Sequence, residues 1–286
     1  MRGNFSKLMV SSAFALLLGV SFPTMAKAAT KKIPAQSKNV YSTSADINGD
    51  GKADAIKITT TKSKGYVSKI TVSVNKKTAY TKALKSGSVS FISAKYASMS
   101  KSKEFIQIIG YGDSDSLAMN QIYKYNTKSK KLVSVSSLNQ GIATAGEITA
   151  ASKNYITIKH STQPAETGYI TWTLPYKYTN NQLVAASSTS SNVKSVIGNY
   201  KKDKYTALFN KNQFVTAKKL TFYNGKKIGF VAPAKTTLTL KKVTLSDGIV
   251  YVQFQYGKKT GWAHVHTSNY DYKSPWFYGV NSRLVG

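Results

Sequence analysis

An all-β fold in two parts is expected for residues 29–286, and three observations predict it. Val, Ile, Thr, Tyr and Ser dominate the chain, with 19 tyrosines, and these residue types suit half-buried strands. Apolar residues alternate with a period of two in segments such as Ile249–Gln255, which sets Val250, Val252 and Phe254 on one face of a strand. Turn formers such as Asn-Gly, Ser-Gly and Ser-Asp-Gly separate these segments, and helical periodicity is nearly absent.

Taken in order, residues 1–28 read as a signal peptide. Arg2 and Lys7 flank an apolar run over residues 8–22, Pro23 interrupts it, and Ala26-Lys-Ala28 has the small-x-small form of a cleavage site. No later apolar run approaches the roughly 20 residues of a membrane span. The chain contains no cysteine. A secreted eukaryotic protein of this size would usually carry disulfides, so an exported chain without any points to a bacterium of Gram-positive type.

The segment Asp46-Ile-Asn-Gly-Asp-Gly-Lys-Ala-Asp54 gathers three of only 11 acidic residues, against 41 basic ones. Mutual repulsion of these carboxylates is best relieved by a hard cation, and oxygen ligands at loop positions 1, 3, 5, 7 and 9 with glycine at 6 are the calcium-loop pattern. Asp46, Asn48 and Asp50 would converge through a sharp turn at Gly51, the Lys52 carbonyl would join them, and Asp54 would act directly or through water. Position 12 is Lys57 where an EF-hand has a bidentate Glu, and the next residues, 55–61, alternate as a strand rather than a helix. In this loop-then-strand form the segment resembles the calcium loops of FG-GAP and VCBS repeats of extracellular β-propellers. The resemblance implies a structural Ca²⁺ with affinity on the order of 10⁻⁴–10⁻³ M, as in extracellular modules.

A repeat of about 50 residues follows from that segment. Ala55–Thr59, Glu104–Ile109 and Asn154–Ile158 read as first strands, and Tyr-Lys-Tyr followed by a polar turn and Leu-Val recurs at 123–133 and 176–184 as a hairpin. A closed propeller needs at least four blades. Residues 29–188 are therefore expected to form an incomplete propeller-like stack of antiparallel sheets, or one completed by a homodimer. Lys101–Glu104 occupies the calcium-loop position of the second repeat without its ligands. Asp113 and Asp115 form another acidic pair, whose simplest reading is a solvated turn.

Residues 189–204 are expected as a Ser/Thr-rich linker. In residues 205–286 at least five short strands are expected, the last entered through the turn in Tyr256-Gly-Lys-Lys-Thr-Gly-Trp262, which is similar to the Gly-Lys-x-Gly-Trp hairpin of bacterial SH3-like (SH3b) domains. The resemblance covers about residues 212–270 and implies a small SH3-like β-barrel with a cell-wall ligand. The family's Leu-Asn-Val-Arg-Ser-Gly-Pro segment is replaced here by Leu220-Thr-Phe-Tyr-Asn-Gly225. Tyr223, Tyr256, Trp262, Tyr270 and Trp276 are the candidate ligand-binding rings.

Formal charge is +30, and +27 once Arg2, Lys7 and Lys27 leave with the signal peptide. The only arginines are Arg2 and Arg283. Lysine is a hydrated point charge without the planar fork that reads guanine edges. Sequence-specific nucleic-acid recognition is therefore not expected, whereas diffuse attraction to a polyanion such as teichoic acid is. For catalysis, no Gly-x-Ser-x-Gly elbow is present, and Glu147 and Glu166 have nothing in sequence to position them as a glycosidase pair. His264 and His266 would share one side of a strand, with no third ligand nearby. A secreted, non-catalytic, cell-wall-associated protein that binds peptidoglycan or teichoic acid is the leading expectation. A wall hydrolase acting through Glu147, Glu166 or the histidine pair, and an adhesin or inhibitor of a host protein, are the alternatives.

Overall fold

In the computed structural model, the described residues are 28–100, 102–113, 116–138, 144–196, 204–266 and 275–280. Residues 1–27 of the signal-peptide segment, Lys101, Asp115 and Tyr270 lie outside them. Antiparallel sheets make up the described fold, none of them closed; the one α-helix is the four-residue turn Thr206–Phe209. No described helix is long and apolar enough to cross a membrane.

Sheet 1 runs Ala35–Ser37, Val40–Ala45, Asp54–Ser63, Tyr66–Val74, Lys77–Ala83. Sheet 2 repeats this meander with Phe91–Ser98, Glu104–Tyr111, Leu117–Asn126 and Lys131–Ser137, and Ala29–Lys32 joins its edge. Sheet 3 repeats it again with Thr144–Ala151, Ile156–Thr162, Ile170–Thr179 and Gln182–Ala185. The repeat is therefore a four-stranded meander, and the segments expected as first strands are second strands. Each is preceded by a strand whose sequence is more polar, because it lies at or near a sheet edge. The Tyr-Lys-Tyr segments do form the third-to-fourth-strand hairpins, with registers Tyr125↔Leu132 and Tyr178↔Leu183.

Sheet 2 is the middle layer. Ile106, Ile108 and Tyr123 join the core shared with sheet 1, while Phe105, Ile122 and Val135 join the core shared with sheet 3. The strand Glu104–Tyr111 is consequently buried on both faces up to its last residue, and its apolar run, broken by Gln107, reflects this. The side toward sheet 3 also carries Gln107 and Asn120, both fully buried. They meet a strand, Thr144–Ala151, whose register shifts twice against its partner. Such bulges leave backbone groups unpaired. The Gln107 amide donates to Gly146 O (3.0 Å), its carbonyl accepts from Ile148 N–H (2.8 Å), and Asn120 donates to Ala145 O and Gly146 O. Two polar side chains thus complete a broken ladder inside the core.

Sheet 4 runs Thr189–Ser190, Thr237–Ser246, Ile249–Tyr256, Lys259–Val265, Leu220–Asn224, Lys227–Ala232, with Gln213–Val215 also on Thr237–Ser246. Part of the segment expected as a linker carries short strands: Thr189–Ser190 pairs into sheet 4 and Val193–Ser195 into sheet 3. Phe214, Phe222, Phe254 and Phe277 fill its interior at centroid separations of 5.0–5.5 Å. The predicted inner face of Val250, Val252 and Phe254 is fully buried.

Candidate functional site

Two places gather residues with chemistry. The first is the Asp46–Asp54 loop. Gly51 has φ +89°, the left-handed turn its position requires. Asp46 Oδ1 accepts from the N–H groups of Gly49 (2.7 Å) and Asp50 (3.1 Å), and Oδ2 accepts from Gly51 N–H (2.9 Å). Asp54, 3 % exposed, accepts from Ile47 and Asn48 N–H and from the Asn75 amide at 2.6 Å. The Asn48 amide nitrogen lies 3.1 Å from Asp50 Oδ2 and 3.2 Å from Asp54 Oδ1, bridging two carboxylates. Lys52 contributes its N–H to Asp50 Oδ1 (2.7 Å). For Ca²⁺ the donors are of the right kind, since all are hard oxygens, but Asp46 Oδ1 and both Asp54 oxygens already accept two hydrogen bonds each. Hydrogen bonds span the loop, and among the described residues no three His, Cys, Asp or Glu side chains are grouped as metal ligands.

Lys101–Glu104 looked in sequence like a degenerate second loop; its described residues abut the first. A Cβ added at Gly49 would lie 2.9 Å from Ser102 N, so the two turns touch. Glu104 is 2 % exposed, and its Oε1 has no hydrogen-bond partner. Burial, followed by the charge of Asp46, pushes its carboxyl up to about 7 against the pull of backbone N–H groups and Lys124. Sequence spacing could not show this contact, because it joins two sheets. Asp113 accepts from Tyr66 Oη (2.9 Å) and Ser90 Oγ (2.8 Å), a cross-strand turn contact.

The second place is the outer face of sheet 4. Side chains opposite Val250, Val252 and Ala263 point outward, and Tyr251, Trp262 and His264 line a groove of about 700 Å³ with Tyr223 and Trp276. Tyr223 sits directly across from Trp262. That crossing needs Gly261, where a Cβ would come within 2.7 Å of Phe222 Cβ. Trp276 is brought in by the segment 275–280, where Ala217 N–H donates to Trp276 O (2.8 Å) and Phe277 is wholly buried. Three of the five expected rings thus converge. Tyr256 does not line the groove; 40 % exposed, it leans on Phe230 at 6.0 Å. Tyr251 and His264 were not among the expected groove residues, although the alternation that buries Val250 and Val252 fixes the outward side of Tyr251.

The expected hydrolase carboxylates have separate partners. Glu147 pairs with Lys95 at 3.0 Å, and Glu166 holds His266. No protein family, curated protein or solved structure matches this chain.

Proposed function

We propose that this chain is a secreted, non-catalytic binding protein of the bacterial cell wall. The groove on sheet 4 takes a wall glycan or peptide, and the lysine excess attracts teichoic acid. The convergence of Tyr223, Tyr251, Trp262 and Trp276 on one groove carries this reading, since partly exposed aromatic rings lining a concave groove with a few polar neighbours are the usual make-up of a ligand site. In this reading the three stacked meanders are an incomplete propeller-like module stabilised by Ca²⁺ at Asp46, Asn48, Asp50, Lys52 and Asp54, and sheet 4 is an SH3-like barrel.

The test is co-sedimentation of the full chain with purified Gram-positive walls, with and without teichoic acid, across a salt series. At about 1 M salt the Debye length is about 3 Å, so binding that persists there on teichoic-acid-free walls is not diffuse electrostatics. The Trp262→Ala variant should bind at least tenfold more weakly, as expected for an aromatic anchor. Binding that disappears with salt or with teichoic acid would overturn the groove reading and leave lysine charge alone.

A further inference from the structure

The chain has three histidines and no cysteine. His160 is 3 % exposed and stacked beside Trp172 and Tyr176, out of reach of solutes. The other two stand at the end of the strand Lys259–Val265. Two residues apart, they project from the same face, with ring centroids 4.5 Å apart. Sequence showed this pair but no partner. The partner comes from 100 residues upstream: Glu166, on the connection between Ile156–Thr162 and Ile170–Thr179, is 7 % exposed. Its two oxygens accept the His266 backbone N–H at 3.2 and 3.1 Å, and Oε1 lies 2.6 Å from His266 Nδ1.

A carboxylate has no proton to donate, so Nδ1 carries a ring proton, and in the neutral imidazole the lone pair is on Nε2. The His266 side chain is 57 % exposed, which leaves Nε2 open to solvent. This is how metal-binding histidines are held: a buried carboxylate takes one ring nitrogen, fixing tautomer and orientation, while the other nitrogen binds the metal. We propose that His264 and His266 form an open two-histidine site for a borderline transition-metal dication of the Zn²⁺ type, with Glu166 as the residue that positions His266. Imidazole nitrogen favours such ions over Ca²⁺ or Mg²⁺, so the site differs in chemistry from the all-oxygen Asp46 loop. Two protein ligands leave the other coordination positions to water or to an anionic solute. His264 also lines the aromatic groove, so an ion here would stand at its rim. The site does not depend on what the groove binds.

The experiment is a Zn²⁺ titration of the full, tag-free chain, followed by calorimetry and by the ring ¹⁵N resonances of the histidines. Saturable one-to-one binding is expected, with both His264 and His266 resonances shifted and His160 unchanged. His264→Ala should weaken the affinity at least tenfold without changing the melting temperature in EDTA, because the ring is exposed. Glu166→Gln should weaken it by about 10–100-fold, the usual effect of removing such a carboxylate. Glu166 also ties sheet 3 to sheet 4, so its variant is compared with wild type by melting in EDTA. Non-saturating uptake, or an affinity unchanged in His264→Ala, would overturn the site. An affinity unchanged in Glu166→Gln would overturn the positioning role.

Discussion

Replacing Glu104 with Gln should stabilise the chain above neutral pH. Glu104 is buried beside Asp46, and its carboxyl is raised from the ordinary 4.5 to about 7. A group whose folded-state pKa is raised contributes its stability in the protonated form; that stability is complete below pH 4.5 and is lost as pH rises through 7. A shift of about 2.5 units at about 1.4 kcal/mol each corresponds to roughly 3 kcal/mol of destabilisation at pH 8 relative to pH 4. Gln keeps the shape and removes the charge, but it leaves one amide donor at the position of the partnerless oxygen, at a cost of about 1 kcal/mol. The net gain for Glu104→Gln at pH 8 is then about 2 kcal/mol, shrinking to nothing or reversing near pH 4. Urea unfolding at half-unit steps from pH 4 to 8 in EDTA measures this directly. Parallel pH profiles for wild type and variant would refute the reasoning, because they would mean that Glu104 is ionised at no greater cost folded than unfolded. Millimolar Ca²⁺ should reduce the difference if a cation relieves the same repulsion.

Ca²⁺ itself, at about ten times a Kd of order 10⁻⁴ M, should stabilise the wild type by about 1.4 kcal/mol, a rise of several degrees in Tm that Asp50→Ala abolishes; an unchanged wild-type melt would reject the ion. His160, lowered to about 4 by burial, holds stability that is present above pH 6.5 and lost as pH falls through 4, about 3 kcal/mol in all. His160→Phe should flatten acid unfolding over that window, and an unchanged slope would exclude His160 as its source. Asn120→Leu should cost about 3 kcal/mol in urea unfolding, since it leaves Ala145 O without its side-chain donor, Gly146 O with that of Gln107 alone, and the Gln107 amide without its Asn120 acceptor; a cost below about 1 kcal/mol would mean these groups find other partners.

Local chemistry made much of this molecule legible. Period-two alternation marks the inner face of Ile249–Gln255, the polar turn between Tyr-Lys-Tyr and Leu-Val marks the two hairpins, and the glycine at loop position 6 marks the turn at Gly51. The relations between sheets were not legible. The contacts of Ser102 with Gly49 and of Glu166 with His266 join segments about 50 and 100 residues apart, and no local pattern encodes which turn faces which. Gln107 and Asn120 read as interruptions of apolar strands. Their role depends on bulges in a neighbouring strand that contains ordinary-looking residues. Tyr256 belongs to the same hairpin as Trp262, but the hairpin's pleat sets the two on opposite faces.

The middle position of sheet 2 also bears on the chain before it folds. A strand covered on both faces offers the segment Phe105-Ile-Gln-Ile-Ile109 no polar alternation, so the unfolded chain exposes five uncharged, strand-prone residues in a row, the composition that seeds intermolecular β-stacking. Lys101, Lys103 and Glu104 stand immediately before this run. Charges flanking an unavoidable sticky strand act as gatekeepers against aggregation. Some of the basic excess, read above as attraction to an anionic wall, therefore also protects the chain while its neighbouring sheets are not yet in place.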